Sequence, residues 1–213
     1  MKTVTISGVS IDIHDGPIGI TMSGGADSGI LFYILMKYAT GPIHVNVVMS
    51  ESHGWSQINA VNNLVIHCIK EFGREDVYVH TAFCNYYLHK IKPFFNTAVH
   101  DWKIYDRIYI GLTAAPPLEV SSKFTGLEVH QRINSVDRDP LVVRSNYLGE
   151  NNYIYAPFFN IDKKKIRQIY DELGVIDTLF PLTRSCEDKE QTEGHCGKCW
   201  WCCERFWAFG RYQ

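Results

Sequence analysis

The stretch IGITMSGGADSGILFY, residues 18–33, decides the fold. Ile18 to Met22 is a short β-prone apolar run and Gly29 to Tyr38 has helical spacing, so Ser23–Ser28 is a polar loop between a strand and a helix. Such a loop holds anions. Gly24 and Gly25 let the backbone turn tightly beside Ala26, and the first helical turn contributes unpaired N–H groups and a positive dipole end. The hydroxyls of Ser23 and Ser28 can donate to a phosphate. Asp27 cannot donate and would repel a bare phosphate, which suits it to Mg²⁺ or to capping the helix. The triphosphate loop GxxxxGK[ST] is absent, and no Lys follows the glycines, which argues against γ-phosphate transfer of that kind. An ordinary strand-to-helix turn, capped by Asp27 or Ser28, is the plainer alternative.

Outward from this loop the chain alternates strands and helices. Upstream, Val4 to His14 suits a strand or hairpin, and Asp15-Gly16-Pro17 breaks the chain before the strand. Downstream come a strand at Ile43–Met49, a helix at Trp55–Phe72 and a strand within Asp76–Phe83. Helical pieces are expected over Tyr86–Asp101, then a strand at Arg107–Leu112. This order predicts a doubly wound α/β fold with a mostly parallel sheet. Ligands bind at the carboxyl ends of such strands, which makes Ser50–Gly54 and the loop Gly111–Pro117 candidates to touch a nucleotide, with Gly111 at the head of the second. The segment Leu118–Asp139, with His130, Arg132, Asp137, Arg138 and Asp139, is long for a connection and suits a substrate cover or a helix. A later helix is capped by Asp162, faces inward through Ile166, Ile169, Tyr170 and Leu173, and stops at Gly174. Lys163, Lys164 and Lys165 are expected on its solvated side. Arg144 is a candidate to neutralise a phosphate or carboxylate. His44 and His53 lack companions at ligand spacing and are expected to be structural.

With 213 residues and a net charge of −2, the chain fits one main domain and shows no global electrostatic case for nucleic acid. No run approaches a membrane span and the N-terminus carries no export signal, so a cytoplasmic location is expected. Of seven cysteines, five fall between Cys186 and Cys203. Cys68 lies on a helical apolar stripe and reads as a buried thiol, and Cys84 as core or loop filler. In the tail, Cys196, Cys199 and Cys202 are spaced C-x₂-C-x₂-C, and nine residues separate Cys186 from Cys196. Four thiolates so placed match a closed structural zinc site, with an iron–sulfur cluster as the alternative. Cys203 is the spare and His195 is awkwardly close to Cys196. The expected organisation is therefore a nucleotide-binding domain over residues 1–180 and a zinc-binding tail over 181–213.

The string SGGADS resembles the pyrophosphate-binding loop of the N-type ATP pyrophosphatases, the PP-loop family, whose fold is that of the adenine nucleotide alpha hydrolases. With SGGADSG at 23–29, RIYIGLTA at 107–114, APFFNIDKKKI to DELG at 156–174, and TRSCE with HCGKCWWC at 183–202, the chain resembles the 7-cyano-7-deazaguanine synthase branch. The resemblance implies cleavage of ATP between the α and β phosphates. Ser23, Gly24, Gly25, Ala26, Asp27, Ser28 and Gly111 would bind the nucleotide, with Ser23, Asp27 and Ser28 at the reaction centre and Mg²⁺ held in part by Asp27. Zinc would sit on Cys186, Cys196, Cys199 and Cys202. The acceptor would be a deazaguanine-like carboxylate, ammonia the second substrate, and the assembly a homodimer. That branch lines its acceptor site with GxNxxDxSGYPDCR, whereas this chain has GLTAAPPLEVSSKFTG at 111–126. Nucleotide handling is thus better supported than acceptor identity. Two rivals stand beside it, namely adenylation followed by sulfur transfer, which needs a free thiol at Cys68, Cys84 or Cys203, and a catalytically inactive nucleotide-binding module.

Overall fold

The strand feeding the loop, β3 (Ile18–Thr21), is the middle of the sheet. Ile18 and Ile20 are fully buried, as expected of a strand covered on both sides. The computed structural model describes residues 1–49, 54–83, 102–124, 138–148, 152–186, 188, 191 and 193–213. Before β3, β1 (Lys2–Ile6) and β2 (Val9–Ile13) pair as an antiparallel hairpin whose two-residue turn, Ser7-Gly8, has positive φ at both positions. After it come α1 (Ala26–Tyr38), β4 (Ile43–Met49), α2 (Gly54–Phe72), β5 (Val77–Phe83), β6 (Arg107–Ile110) and a single turn, α3 (Leu118–Ser121). Next are β7 (Tyr147–Leu148), β8 (Ile154–Tyr155), α4 (Lys163–Glu172) and α5 (Trp200–Phe209).

The sheet order is β5-β4-β3-β6-β8-β7. Every neighbouring pair is parallel except β7 with β8. The chain leaves β3 through α1 toward β4 on one side and later returns to β6 on the other. The carboxyl ends of β3 and β6 therefore flank the point where the winding reverses, the place where open α/β sheets open a ligand crevice. The doubly wound, largely parallel fold expected from the sequence is the fold observed.

Buried residues run almost without interruption along α1 from Ala26 to Met36, because the sheet lies on one side and α2 and α4 pack on the others. Each aliphatic side chain buried there, such as Ile30, Leu31 or Leu35, contributes on the order of 1.5–3 kcal/mol. Cys68 of α2 joins this core, and burial pushes its thiol up to about 12. That is the inert thiol expected. Asp162 accepts a hydrogen bond from the Lys165 N–H and caps α4, while Gly174 ends it with φ +70. Among the described residues, no helix is long and apolar enough to cross a membrane. Ser50–His53, Cys84, the expected helical pieces over Tyr86–Asp101, and His130, Arg132 and Asp137 lie outside the described residues.

Candidate functional site

The helix begins three residues earlier than its periodicity predicts. Ala26, Asp27 and Ser28 form its first turn, and the N-cap is Gly25, which brings no side-chain cap. The expectation that Asp27 or Ser28 caps the helix is therefore corrected. The first-turn N–H groups of α1 thus receive no side-chain cap from Gly25, the arrangement in which a helix start can accept an anion. Gly24 sits at φ +75, and a Cβ there would lie 2.9 Å from the Ala60 Cβ, so the turn requires glycine on both counts. The Ser23 and Ser28 hydroxyls lie 3.4 Å apart at the mouth of the loop, Ser23 exposed and Ser28 buried. Gly111, past the end of β6, packs so closely on this turn that a Cβ would meet the Ser28 nitrogen at 2.7 Å. All of the loop residues named from the sequence, with Gly111, thus come together at the reversal point.

Behind the loop is a cluster of four charges, of which Lys163, Glu204 and Arg138 are buried and Asp27 is mostly so. Lys163 Nζ lies 3.3 Å from Asp27 Oδ2 and 3.1 Å from Glu204 Oε2. Arg138 donates to Glu204 Oε1 at 2.9 Å, and to the carbonyls of Thr113 and Ala114 beyond β6. Lys163 and Arg138 both approach the Trp201 ring, at 5.2 and 5.3 Å. Two cations and two carboxylates balance, which is what allows charges to be buried together. Burial alone would push Glu204 up, but Lys163 and Arg138 outweigh it and hold the carboxyl below its usual range. Burial likewise works against charge on Lys163, yet Asp27 and Glu204 hold it above the usual value. At Asp27 burial wins and its carboxyl is raised. Among the described residues its Oδ1 has no hydrogen-bond partner, although it is shielded from solvent. A cation beside that oxygen would satisfy it.

Lys163 is the main correction to the sequence reading. It is 3% exposed rather than solvated, while Lys164 beside it is exposed. A signal was present: Lys163, Ile166 and Tyr170 fall at i, i+3 and i+7, so Lys163 stands on the apolar face of α4. Glu204 hides in the same way between Trp200 and Ala208 at intervals of four. Arg138 had no local signal, because only the fold brings it to α5. Arg144 donates to the carbonyls of Asp139 and Val142 and lies over Phe159, so it staples its own loop. His44 is not without a companion. Its Nδ1 is 2.9 Å from His80 Nε2 on the adjacent strand, a partner 36 positions away that spacing cannot reveal.

In the tail, the sulfurs of Cys186, Cys196, Cys199 and Cys202 all lie within 4.8 Å of one another. Cys196 and Cys202 are 3.9 Å apart, close to the ~3.8 Å separation that tetrahedral bonds of about 2.3 Å to zinc give. The Cys199 contact and burial push the Cys202 thiol far up, and burial raises Cys186. Cys186 and Cys202 thus resist ionisation unless a cation joins them, and a metal supplies that cation. The geometry therefore fits a single tetrahedral ion such as zinc, and the four-thiolate donor set also suits an iron–sulfur cluster. Cys203 points away, toward the carbonyls of Gly197 and Lys198, as its place outside the spacing predicts. His195 also stays outside the group. It accepts the Ser185 N–H, stacks on Tyr212, and is depressed to about 4, by burial first and by Arg205 and Arg184.

The tail is fastened to the phosphate loop. Arg184 donates its N–H to the Gly24 carbonyl at 2.8 Å, and the Thr183 methyl fills the space beside Gly29. Arg205, fully buried in α5, donates to Thr183 and Ser185 and to the Phe180 carbonyl, with its guanidinium 3.8 Å over the Phe180 ring. Burial lowers it to about 10, so it remains charged at neutral pH.

Residues 141–213 match the family described as "Queuosine biosynthesis protein QueC". That span contains Lys163, Glu204, Arg205 and all four clustered cysteines, and stops short of the phosphate loop. No curated protein matches the chain. Among solved structures, the U34-tRNA thiolase NcsA from Methanococcus maripaludis, described with its [4Fe-4S] cluster, is 15% identical with a TM-score of 0.45. That alignment covers 75% of this chain and 57% of the thiolase, so this chain spans little more than half of the thiolase's length. The NMN synthetase from Francisella tularensis is 13% identical with a TM-score of 0.42, over 89% of this chain and 76% of the synthetase. Likenesses this distant assign no chemistry. What stands is a PP-loop-like α/β fold with a C-terminal Cys₄ metal site.

Proposed function

We propose that this chain binds Mg²⁺-ATP at Ser23–Ser28, cleaves it between the α and β phosphates, and adenylates an acceptor. The observation that carries this reading is an uncapped helix N-terminus beside the buried Asp27–Lys163 pair at the sheet's reversal point. The first-turn N–H groups of α1 and the hydroxyls of Ser23 and Ser28 would donate to the pyrophosphate oxygens. Lys163 would offset the charge that grows there as the P–O bond breaks. The unpartnered Asp27 Oδ1 is the atom suited to Mg²⁺, which would supply further charge neutralisation. Catalysis of this kind rests on positioning and a good leaving group, with no protein nucleophile.

For the acceptor, the QueC match over 141–213 favours a carboxylate of the deazaguanine type. Carboxylate attack on the α-phosphorus releases pyrophosphate, and ammonia then displaces AMP to give an amide. A second activation, of the amide oxygen, followed by loss of AMP would give the nitrile. The test is pyrophosphate and AMP release from Mg²⁺-ATP and ammonia, with and without 7-carboxy-7-deazaguanine, with mass analysis of the base. Conversion that disappears in Asp27→Ala supports the reading. Binding of ATP with no turnover of any carboxylate leaves a nucleotide-binding module.

A second reading, sulfur transfer to the adenylated acceptor, rests on the Cys₄ group, whose four thiolates are a donor set for an iron–sulfur cluster as well as for zinc. Metal analysis of protein purified without oxygen separates the two. One zinc per chain with full turnover in Cys203→Ser favours ammonia as nucleophile, and four irons with labile sulfide favours sulfur transfer.

A further inference from the structure

Two features of the tail point the same way. The helix that carries the metal ligand Cys202 also carries Glu204, and the segment that carries Cys186 also carries Arg184. Glu204 is fully buried and reaches Lys163 at 3.1 Å, and Lys163 reaches Asp27 in the first turn of α1. Through Arg138 the same carboxylate holds the backbone beyond β6, where Gly111 abuts that turn. Arg184 meets the Gly24 carbonyl on the other side of the loop, and Arg205 clamps the Thr183–Ser185 segment onto α5. A metal ion held by four cysteines fixes α5 against that segment, and with it both arms that touch the phosphate loop.

We propose that Glu204 is a positioning residue that couples the Cys₄ metal site to the phosphate loop, so that metal in the tail and a pyrophosphate-bearing ligand at the loop hold one another in place. Without the metal, α5 loses its fixed start at Cys199, Glu204 loses its place, and Lys163 is free to shift against Asp27. The coupling is reciprocal by thermodynamic necessity: whatever affinity the metal gives the nucleotide, the nucleotide returns to the metal. This rests on the reading that Ser23–Ser28 binds Mg²⁺-ATP.

The experiment uses the full chain loaded with Zn²⁺. Zinc release to a chromogenic chelator is followed alone, with Mg²⁺-ATP and with Mg²⁺-pyrophosphate, and binding of both ligands is measured by calorimetry. The wild type is expected to bind both and to release zinc more slowly in their presence, by roughly 5–150-fold, the usual range of coupling. Glu204→Gln is expected to keep one zinc per chain and lose about tenfold or more in ligand affinity, within that range, together with the ligand-dependent slowing. A residue that merely supported the fold would change zinc release equally with and without ligand. Cys203→Ser is expected to behave as wild type. Ligand binding by the wild type with no change in zinc release overturns the coupling and leaves the nucleotide reading standing. Absence of binding of either ligand overturns both. The wild-type comparison decides the matter even where Glu204→Gln fails to fold.

Discussion

Replacing Lys163 with Met tests whether the charge cluster behind the phosphate loop is buried as described. Methionine keeps most of the side chain's volume and removes the cation 3.3 Å from Asp27 and 3.1 Å from Glu204. Glu204 retains Arg138 at 2.9 Å, so the uncompensated charge falls on Asp27, whose Oδ1 already lacks a partner among the described residues. Breaking a buried pair by removing one member costs about 3–5 kcal/mol. The loss is limited by an escape: Asp27 can take up a proton, which from an ordinary pKa near 3.9 costs about 4 kcal/mol at pH 7. The expected loss is therefore about 3–4 kcal/mol, or roughly 6–16 °C in Tm for a chain of this size. The pH dependence follows from the sign of the shift. A carboxyl whose folded pKa is raised destabilises the fold when ionised and is relieved as pH falls. Between pH 7 and pH 5, protonation becomes about 2.7 kcal/mol easier, so the gap between variant and wild type should shrink by most of that amount. Asp27→Asn added to Lys163→Met should recover most of the loss, with a coupling of about 0.5–3 kcal/mol between the two sites. Guanidinium and thermal unfolding of the zinc-loaded proteins at both pH values measure all of this. A variant that melts within about 2 °C of wild type at pH 7, or a gap that is the same at both pH values, would refute the buried pair.

Gly111→Ala places a methyl group 2.7 Å from the Ser28 nitrogen and 2.8 Å from the Asp27 carbonyl carbon, both backbone atoms. Overpacking of this kind costs about 1–3 kcal/mol, and by moving the first turn of α1 it should also weaken ATP binding at least tenfold by calorimetry. Cys199→Ser should abolish stoichiometric metal binding in elemental analysis while Cys203→Ser leaves it intact, because only the first sulfur belongs to the cluster. The hairpin is tied to the sheet by Tyr147, whose hydroxyl donates to Asp12 at 2.6 Å, while Asp12 also accepts from Thr3. Burial and the Asp12 bond push Tyr147 up to about 12, so its contribution is intact below its ordinary value near 10 and is lost as pH rises toward 12. Asp12 is held down by the Tyr147 and Thr3 bonds, so its contribution is intact above 3.8 and fades as pH falls below that value. Tyr147→Phe should flatten the stability curve at both ends; an unchanged acid limb would show that the bond to Asp12 is absent.

Residues 18–33 and the cysteine spacing were legible because their information is local. A β-prone run, adjacent glycines and a helical stripe define a strand, turn and helix within one short window, and C-x₂-C-x₂-C sets sulfur separations over a few residues of backbone. The alternation of strands and helices fixed the parallel sheet for the same reason, since each element's period is written in its own residues. Periodicity places Lys163 and Glu204 on apolar helix faces, but only the tertiary structure decided which partners neutralise them. Lys163 in a run of three lysines and Glu204 in an aromatic-rich helix gain their meaning from each other, 41 positions apart, and from Asp27 and Arg138 on other elements. A charge enters the interior only where partners from elsewhere in the chain neutralise it, and that compensation is a property of packing that no local pattern records.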